Sequence, residues 1–153
     1  MDMNKGITLQ EEFLTPELQE EVLPLLGNHH EEIEHYKDLE INVGWGVYQK
    51  LADAGKVKIY TARRDGVLVG YAVFVITPNL HYSVWQAVQD VFYVDPGERG
   101  AMLGTKLIKF AEECLAKLEI QSIYHSVNVV HDFGPLLKRQ GYIHTENIYT
   151  KRI

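Results

Sequence analysis

Hydrophobic and polar positions recur along this chain with two different periods, and each change of period marks an element. Thr15-Pro16 reads as an N-cap followed by proline at the first helical position. Leu18, Val22, Leu25 and Leu26 then recur at helical spacing, with Gly27 as the stop. A polar stretch follows from His29 through Tyr36, and the spacing predicts a second helix over 44–54 that presents Val47, Tyr48 and Leu51 on one face. Gly55 supplies its C′ residue. The period then shortens. Segments 57–64 and 67–76 are rich in β-branched and aromatic residues, and Asp65-Gly66 between them is a two-residue hairpin signal. Pro78-Asn79 reads as the break after the second strand, and 84–94 reads as a third that ends at Asp95-Pro96-Gly97.

Helical spacing returns over 101–118, where Leu103, Leu107, Phe110, Ala111, Cys114 and Leu118 form one apolar stripe. Segment 120–127 reads as a strand. Asp132 caps a short helix to about 140 that Gly141 stops, and 142–144 and 148–152 read as a final pair of strands. The expected architecture is α/β: one domain over 1–153, a mixed central sheet with flanking helices. The helix from 101 joins 84–94 to 120–127 by a crossover, so those two strands should be parallel neighbours.

Composition narrows the function classes. Hydrophobic residues are 46% of the chain and charged residues 24%, as in an ordinary globular domain, which excludes a mostly disordered chain. The single cysteine, Cys114, excludes an internal disulfide and a Cys-rich zinc site, and fits a reducing, cytoplasmic location. No run of about 18 apolar residues is present. The first residues lack the apolar core of a secretory signal, so neither a transmembrane helix nor a membrane partner is expected. With 21 acidic against 15 basic residues the net charge is −6, which argues against nucleic acid and fits a cationic small substrate.

The stretch with most chemical content runs from Val91 to Ile108. A strand ends at a proline turn, and the small-residue loop Arg99-Gly100-Ala101-Met102-Leu103-Gly104-Thr105 opens into a helix. The first amides of such a helix point outward unpaired and, with the helix dipole, suit a pyrophosphate. Arg99 can add a charge-assisted contact. The alternatives fail: there is no Gly-x-x-x-x-Gly-Lys-Ser/Thr, and no Gly-x-Gly-x-x-Gly follows a strand. Asp132-Phe133-Gly134 spells a kinase tripeptide without the other kinase signatures.

Tyr93-Val94-Asp95-Pro96 followed by Arg99-Gly100-Ala101-Met102-Leu103-Gly104 resembles the acetyl-CoA loop of GCN5-related N-acetyltransferases, Arg/Gln-x-x-Gly-x-Gly/Ala. The order of elements resembles that family across nearly the whole chain, and Leu137 to Tyr142 resembles its last helix and Gly-Phe/Tyr turn. His29-His30-Glu31-Glu32 and His131-Asp132-Phe133-Gly134-Pro135 are similar to small acetyltransferases carried by tailed bacteriophages. The resemblance implies the acyl-CoA N-acyltransferase fold and acetyl-CoA as co-substrate. It also implies acetyl transfer to a small-molecule or protein amine by direct attack, in a chain that is often a homodimer. Pantetheine would pair with the backbone of Phe92, Tyr93 and Val94, in a splay between the strands ending at 94 and beginning at 120. The pyrophosphate would rest on the amides from Arg99 to Thr105, and Asn128 would touch the cofactor. A backbone N–H near Tyr93 or Val94 would hold the oxyanion. Two departures stand out. Met102 occupies the place of the loop's first glycine, and Leu137 the place of the family's usual tyrosine acid.

Catalytic candidates follow. Asp90 lies two residues beyond Val88, the position of a catalytic glutamate in some family members, and so on the same strand face. It is the first choice for base or ammonium anchor. His125 on the partner strand has a pKa range suited to proton transfer, and Tyr149 or Tyr142 can supply a phenol. By analogy His30, Glu31 and Glu34 border the acceptor site, with His81 and Tyr82 in the same cleft. The pairs His30/Glu34 and Glu31/His35 share helix faces but offer only two ligands each, too few for a metal site. The alternative reading is a degenerate acetyl-CoA-binding or protein-interaction module.

Overall fold

The computed structural model describes residues 4–34, 36 and 38–153. Five strands lie in sequence order: β1 (Ile7–Glu12), β2 (Val57–Arg64), β3 (Val67–Asn79), β4 (Val84–Val94) and β5 (Ser122–Tyr124). Neighbours are antiparallel from β1 to β4. The β4–β5 pair is parallel, with Gln86 opposite Ser122 and Val88 opposite Tyr124, as the crossover requires.

Helices α1 (Pro16–Ile33) and α2 (Trp45–Asp53) cover one face of the sheet; α3 (Leu103–Leu115) covers the other, and the short α4 (Gly134–Arg139) follows β5. On the α3 face the apolar stripe of Leu103, Leu107, Ala111 and Leu115 meets Tyr60, Ala72, Phe74 and Ala87. Small residues on the strands let the helix approach closely. On the α1 face Leu18 and Leu25 meet Val57, Ile59, Tyr71 and Tyr93.

Four expectations need correction. α1 does not stop at Gly27: it runs through Pro24 and Gly27 to Ile33. Burial of Leu18 and Leu25 holds both weak residues in helical conformation, because packing outweighs propensity. β3 does not break at Pro78 but carries it in register opposite Trp85, at the strand's far end where a missing donor matters least. The helix expected over 101–118 is preceded by a 3-10 turn, Pro96–Ala101, and ends at Leu115. The final strands at 142–144 and 148–152 do not form, and Ile143, Ile148 and Tyr149 are exposed. Strand propensity there finds no ladder to join. His144 Nε2 instead closes a local turn on Glu146 O and Asn147 Oδ1, both at 3.0 Å, while Arg152 ties the tail to Asp38 at 2.7 Å.

Candidate active site

The site begins with an irregularity in β4. Val91 pairs with Val73 but Gln89 pairs with Phe74, so Asp90 is an extra, bulged residue. The bulge reverses the alternation: Ala87 faces α3, whereas Val91 and Tyr93 face α1. It also ends the pairing with β5, which stops at Val88, so from Gln89 onward β4 is paired on its β3 side only. Asp95 N–H donates to Val69 O at 2.8 Å, and Arg99 Nε donates to Val94 O at 2.9 Å. Strand backbone groups alternate sides, so Phe92 and Val94 present theirs to the opening while those of Tyr93 face β3. The expectation that Tyr93 lends its backbone to pantetheine is thereby corrected. Its ring packs in the α1-side core, its hydroxyl donates to Asp95 at 3.0 Å, and burial followed by Asp95 pushes its pKa up to about 12.

Beyond the turn at Asp95 the 3-10 segment closes on itself, and Met102 adopts the left-handed conformation, φ 58° and ψ 24°. That geometry explains the family's glycine: only a residue without Cβ enters it freely. The Met102 side chain points to solvent. The first bond into α3 runs from Lys106 N–H to Met102 O at 3.1 Å, which leaves the amides of Leu103, Gly104 and Thr105 without such a partner. A Cβ at Gly104 would lie 3.4 Å from Phe92 Cζ, so glycine keeps helix and strand close, and Gly100 meets nothing within 4 Å. Free helix-start amides and small residues beside an open strand edge fit a pyrophosphate and a pantetheine arm. The rest of the expected span, Arg99 through Gly100 and Ala101 to Met102, lies in the 3-10 segment and its left-handed cap. Arg99 is engaged elsewhere, donating to both carboxylate oxygens of Glu32 on α1 at 2.7 and 2.8 Å. That pairing holds Glu32 below the usual carboxylate range. Asn128 is likewise turned to α1. Its Nδ2 donates to Ile33 O at 2.9 Å, capping the helix, and its Oδ1 accepts from Val130 N–H at 2.8 Å. His131 Nδ1 lies 3.2 Å from Glu32.

On the α1 face a cavity of about 490 Å³ opens between α1, residues 41–45, α2 and the sheet. Asp90 lines it, with Tyr48 Oη donating to Asp90 Oδ2. Burial and then Asp90 raise the Tyr48 pKa, so the phenol stays protonated. Tyr71 lines the same cavity, fully buried, and its hydroxyl has no hydrogen-bond partner among the described residues. His30 and Glu34 line it; Glu31 does not.

His81 and Tyr82 sit at the β3–β4 hairpin tip, held by Asn79 Oδ1. The strand end that carries this tip, Asn79, lies six residues past Val73, or ~20 Å along β3. Tyr149 is exposed on the tail, and neither it nor the hairpin tip lines the cavity. His125 faces α3, opposite to Asp90. Its Nδ1 lies 2.7 Å from Gln89 Oε1 and its ring is 5.0 Å from that of Tyr142. Burial lowers its pKa to about 4. Leu137 is buried in α4, and burial raises the Cys114 thiol. His35 lies outside the described residues. Among those described, no group of three His, Cys, Asp or Glu residues comes together for a metal, and no helix is long and apolar enough to cross a membrane. Tyr48 and Tyr71 escaped the sequence reading of the site. The adjacent polar pair Gln89-Asp90 in an otherwise mainly apolar strand was the available sign of a bulge.

A mixed sheet parted at a bulge, with an unpaired helix start at the parting, defines a class: proteins that seat an acyl thioester between two parallel strands. The acetyltransferase (GNAT) family profile matches residues 15–133, and the chain belongs to that family of acetyl-CoA-dependent N-acetyltransferases. Its fold is similar to an aminoglycoside acetyltransferase from an uncultured soil metagenomic sample (TM-score 0.76, 13% identity, 99% of each chain covered). It is also similar to a ribosomal-protein-alanine N-acetyltransferase from Brucella melitensis biovar Abortus 2308 (TM-score 0.72, 20% identity, 96% of this chain and 99% of that one). A third is glucosamine-6-phosphate N-acetyltransferase from Arabidopsis thaliana (TM-score 0.72, 14% identity, 95% and 98%). No curated protein matches the chain in sequence.

Proposed function

We propose that this single-domain protein acetylates a primary amine seated on the α1 face, with Asp90 receiving the ammonium. The observation that carries the reading is the bulge, which puts a carboxylate into the cavity at the point where β4 leaves β5. Acetyl-CoA supplies an activated thioester when bound. The amides of Leu103, Gly104 and Thr105 would hold its pyrophosphate, and the open backbone groups of Phe92 together with the Val94 N–H would hold its pantetheine, the Val94 carbonyl being taken by Arg99. The Phe92 or Val94 N–H is the donor for charge that develops on the carbonyl oxygen. Asp90 orients the ammonium and accepts one of its protons; Tyr48 fixes the carboxylate by donating to it. In balance, the new N–C bond forms as the C–S bond breaks. The electron pair leaves with sulfur, which takes the second surplus proton of the ammonium. His125, neutral and on the other face, carries no proton in this scheme, and Tyr149 is a tail residue.

The test is calorimetric titration with acetyl-CoA, followed by thiol release with an amine panel on wild type and Asp90→Asn. The expected result is near-stoichiometric cofactor binding by both proteins and a loss of about 10²–10⁴ in turnover for Asp90→Asn. Absence of binding at millimolar cofactor refutes the reading.

A further inference from the structure

The α1-face cavity has a composition that selects among amines. Its walls are mainly Leu18, Val22, Leu26, Val57 and Val73, with the rings of Trp45 and Tyr48 6.0 Å apart on one side. Only two carboxylates line it among the described residues, Asp90 and Glu34, and a Glu34 oxygen already accepts Tyr36 N–H at 3.0 Å. His29, on the same wall, is held below its usual pKa by burial and stacks 5.2 Å from Tyr93, so it adds no positive charge at neutral pH. At the polar end, Tyr71 Oη is buried and unpartnered among the described residues, beside the Asp90–Tyr48 pair. A buried hydroxyl that faces a cavity without a protein partner can pair with a ligand atom. The site therefore offers Asp90 at its polar end, a second carboxylate, Glu34, with one oxygen already engaged, one spare hydroxyl and an apolar, partly aromatic volume.

We infer that the acceptor is a primary amine on an apolar aryl-alkyl body, rather than a polyamine or aminoglycoside. The inference rests on the transferase reading above. The ammonium sits at Asp90 and takes the free Tyr71 oxygen as acceptor, with the aromatic rings adding cation–π attraction. The carbon body fills the space between α1 and the sheet. A polycation with three or more ammonium groups, such as spermidine or kanamycin, would bring more charges than Asp90 and the partly engaged Glu34 can pair.

The test compares 2-phenylethylamine, ethylamine, spermidine and kanamycin. Each is titrated calorimetrically into the CoA-saturated full chain and assayed for thiol release with acetyl-CoA. Phenylethylamine is expected to bind about 30-fold tighter than ethylamine, since burial of the ring removes its apolar surface from water. Spermidine is expected to be about tenfold or more weaker than phenylethylamine. Tyr71→Phe is expected to keep or raise the melting temperature, because it deletes an unpaired buried hydroxyl, while weakening phenylethylamine by about fivefold. Asp90→Asn is expected to weaken it by about tenfold or more. Spermidine or kanamycin binding as well as phenylethylamine, on a protein that binds acetyl-CoA, overturns this inference and leaves the transferase reading intact. So does unchanged phenylethylamine binding in Tyr71→Phe. Failure of both acetyl-CoA and every amine to bind overturns both.

Discussion

Lowering the pH should expose the neutral histidine under the sheet. His125 is packed edge-on against Phe74 at 5.5 Å and Tyr142 at 5.0 Å, and its Nδ1–H donates to Gln89 Oε1. Gln89 is oriented by its own Nε2 bond to Ser126 O at 3.3 Å. His125 Nε2 is buried with no partner, so a second proton would find no acceptor there, and burial lowers the pKa to about 4. In the unfolded chain the ring titrates near 6.5. Unfolded protein therefore takes up a proton as pH falls through 6.5, whereas folded protein does so only near 4. Stability from this site is constant above 6.5, falls between 6.5 and 4, and levels off below 4. At pH 4.5 the loss is about 2.5 kcal/mol, or roughly 5–10 °C in Tm for a domain of this size. Glu12, Glu21, Glu32 and Glu98 also titrate low in the fold. Their stabilisation is lost as pH drops below the unfolded carboxylate range, so wild type alone does not isolate the histidine. His125→Phe does. It fits among the same rings and leaves Gln89 Oε1 unpaired at a pH-independent cost. Urea unfolding at pH 7.5, 6.0 and 4.5 should give a gap between the two proteins that shifts by about 2.5 kcal/mol in favour of the variant at the acid end. Parallel curves would refute the reasoning.

Three smaller perturbations follow from the cofactor loop. Met102→Gly relieves a left-handed strain of about 1–2 kcal/mol and gives back about 0.5–1 through a looser unfolded chain, for a gain of roughly 1 kcal/mol or less. Thermal melting should show a rise of a few degrees, and a fall would contradict the loop geometry. Met102→Val, β-branched in the same conformation, should melt below wild type. Glu32→Gln weakens the bidentate hold on Arg99 and frees its charge for an anion. Acetyl-CoA should then bind several-fold tighter at low salt, with the difference shrinking at 0.5 M NaCl while Tm drops slightly; an affinity indifferent to both changes would show that Arg99 does not reach the phosphate.

What the sequence makes legible is mostly local. The passage from β4 through the turn to α3 is written in adjacent residues: a change of period, a proline turn and small residues at the helix start. The parallel pairing of β4 and β5 follows from that passage because a crossover has little choice. What stays hidden depends on distant partners. Gly27 looks like a helix end until the sheet presses Leu18 and Leu25 into place. Arg99 looks free for phosphate until Glu32, 67 positions away, is seen to hold it. Tyr48 and Tyr71 read as ordinary packing residues until the bulge at Asp90 turns the carboxylate toward them. The tail has strand-like residues, but strand character is realised only in a ladder, and Arg152 draws the segment to Asp38.

The last turn of α1 is gripped from the cofactor side at every level: Arg99 by Glu32, Asn128 on Ile33 O, His131 beside Glu32. That same turn supplies His30 and Ile33 to the wall of the α1-face cavity, the proposed acceptor site. Any ligand that draws Arg99 away from Glu32 alters the wall against which the second substrate must fit. Linkage then makes the effect mutual: whatever factor one ligand imposes on the affinity of the other is returned in full. Filling one side of the sheet would then be coupled to filling the other through one helical turn, by the same factor in both directions.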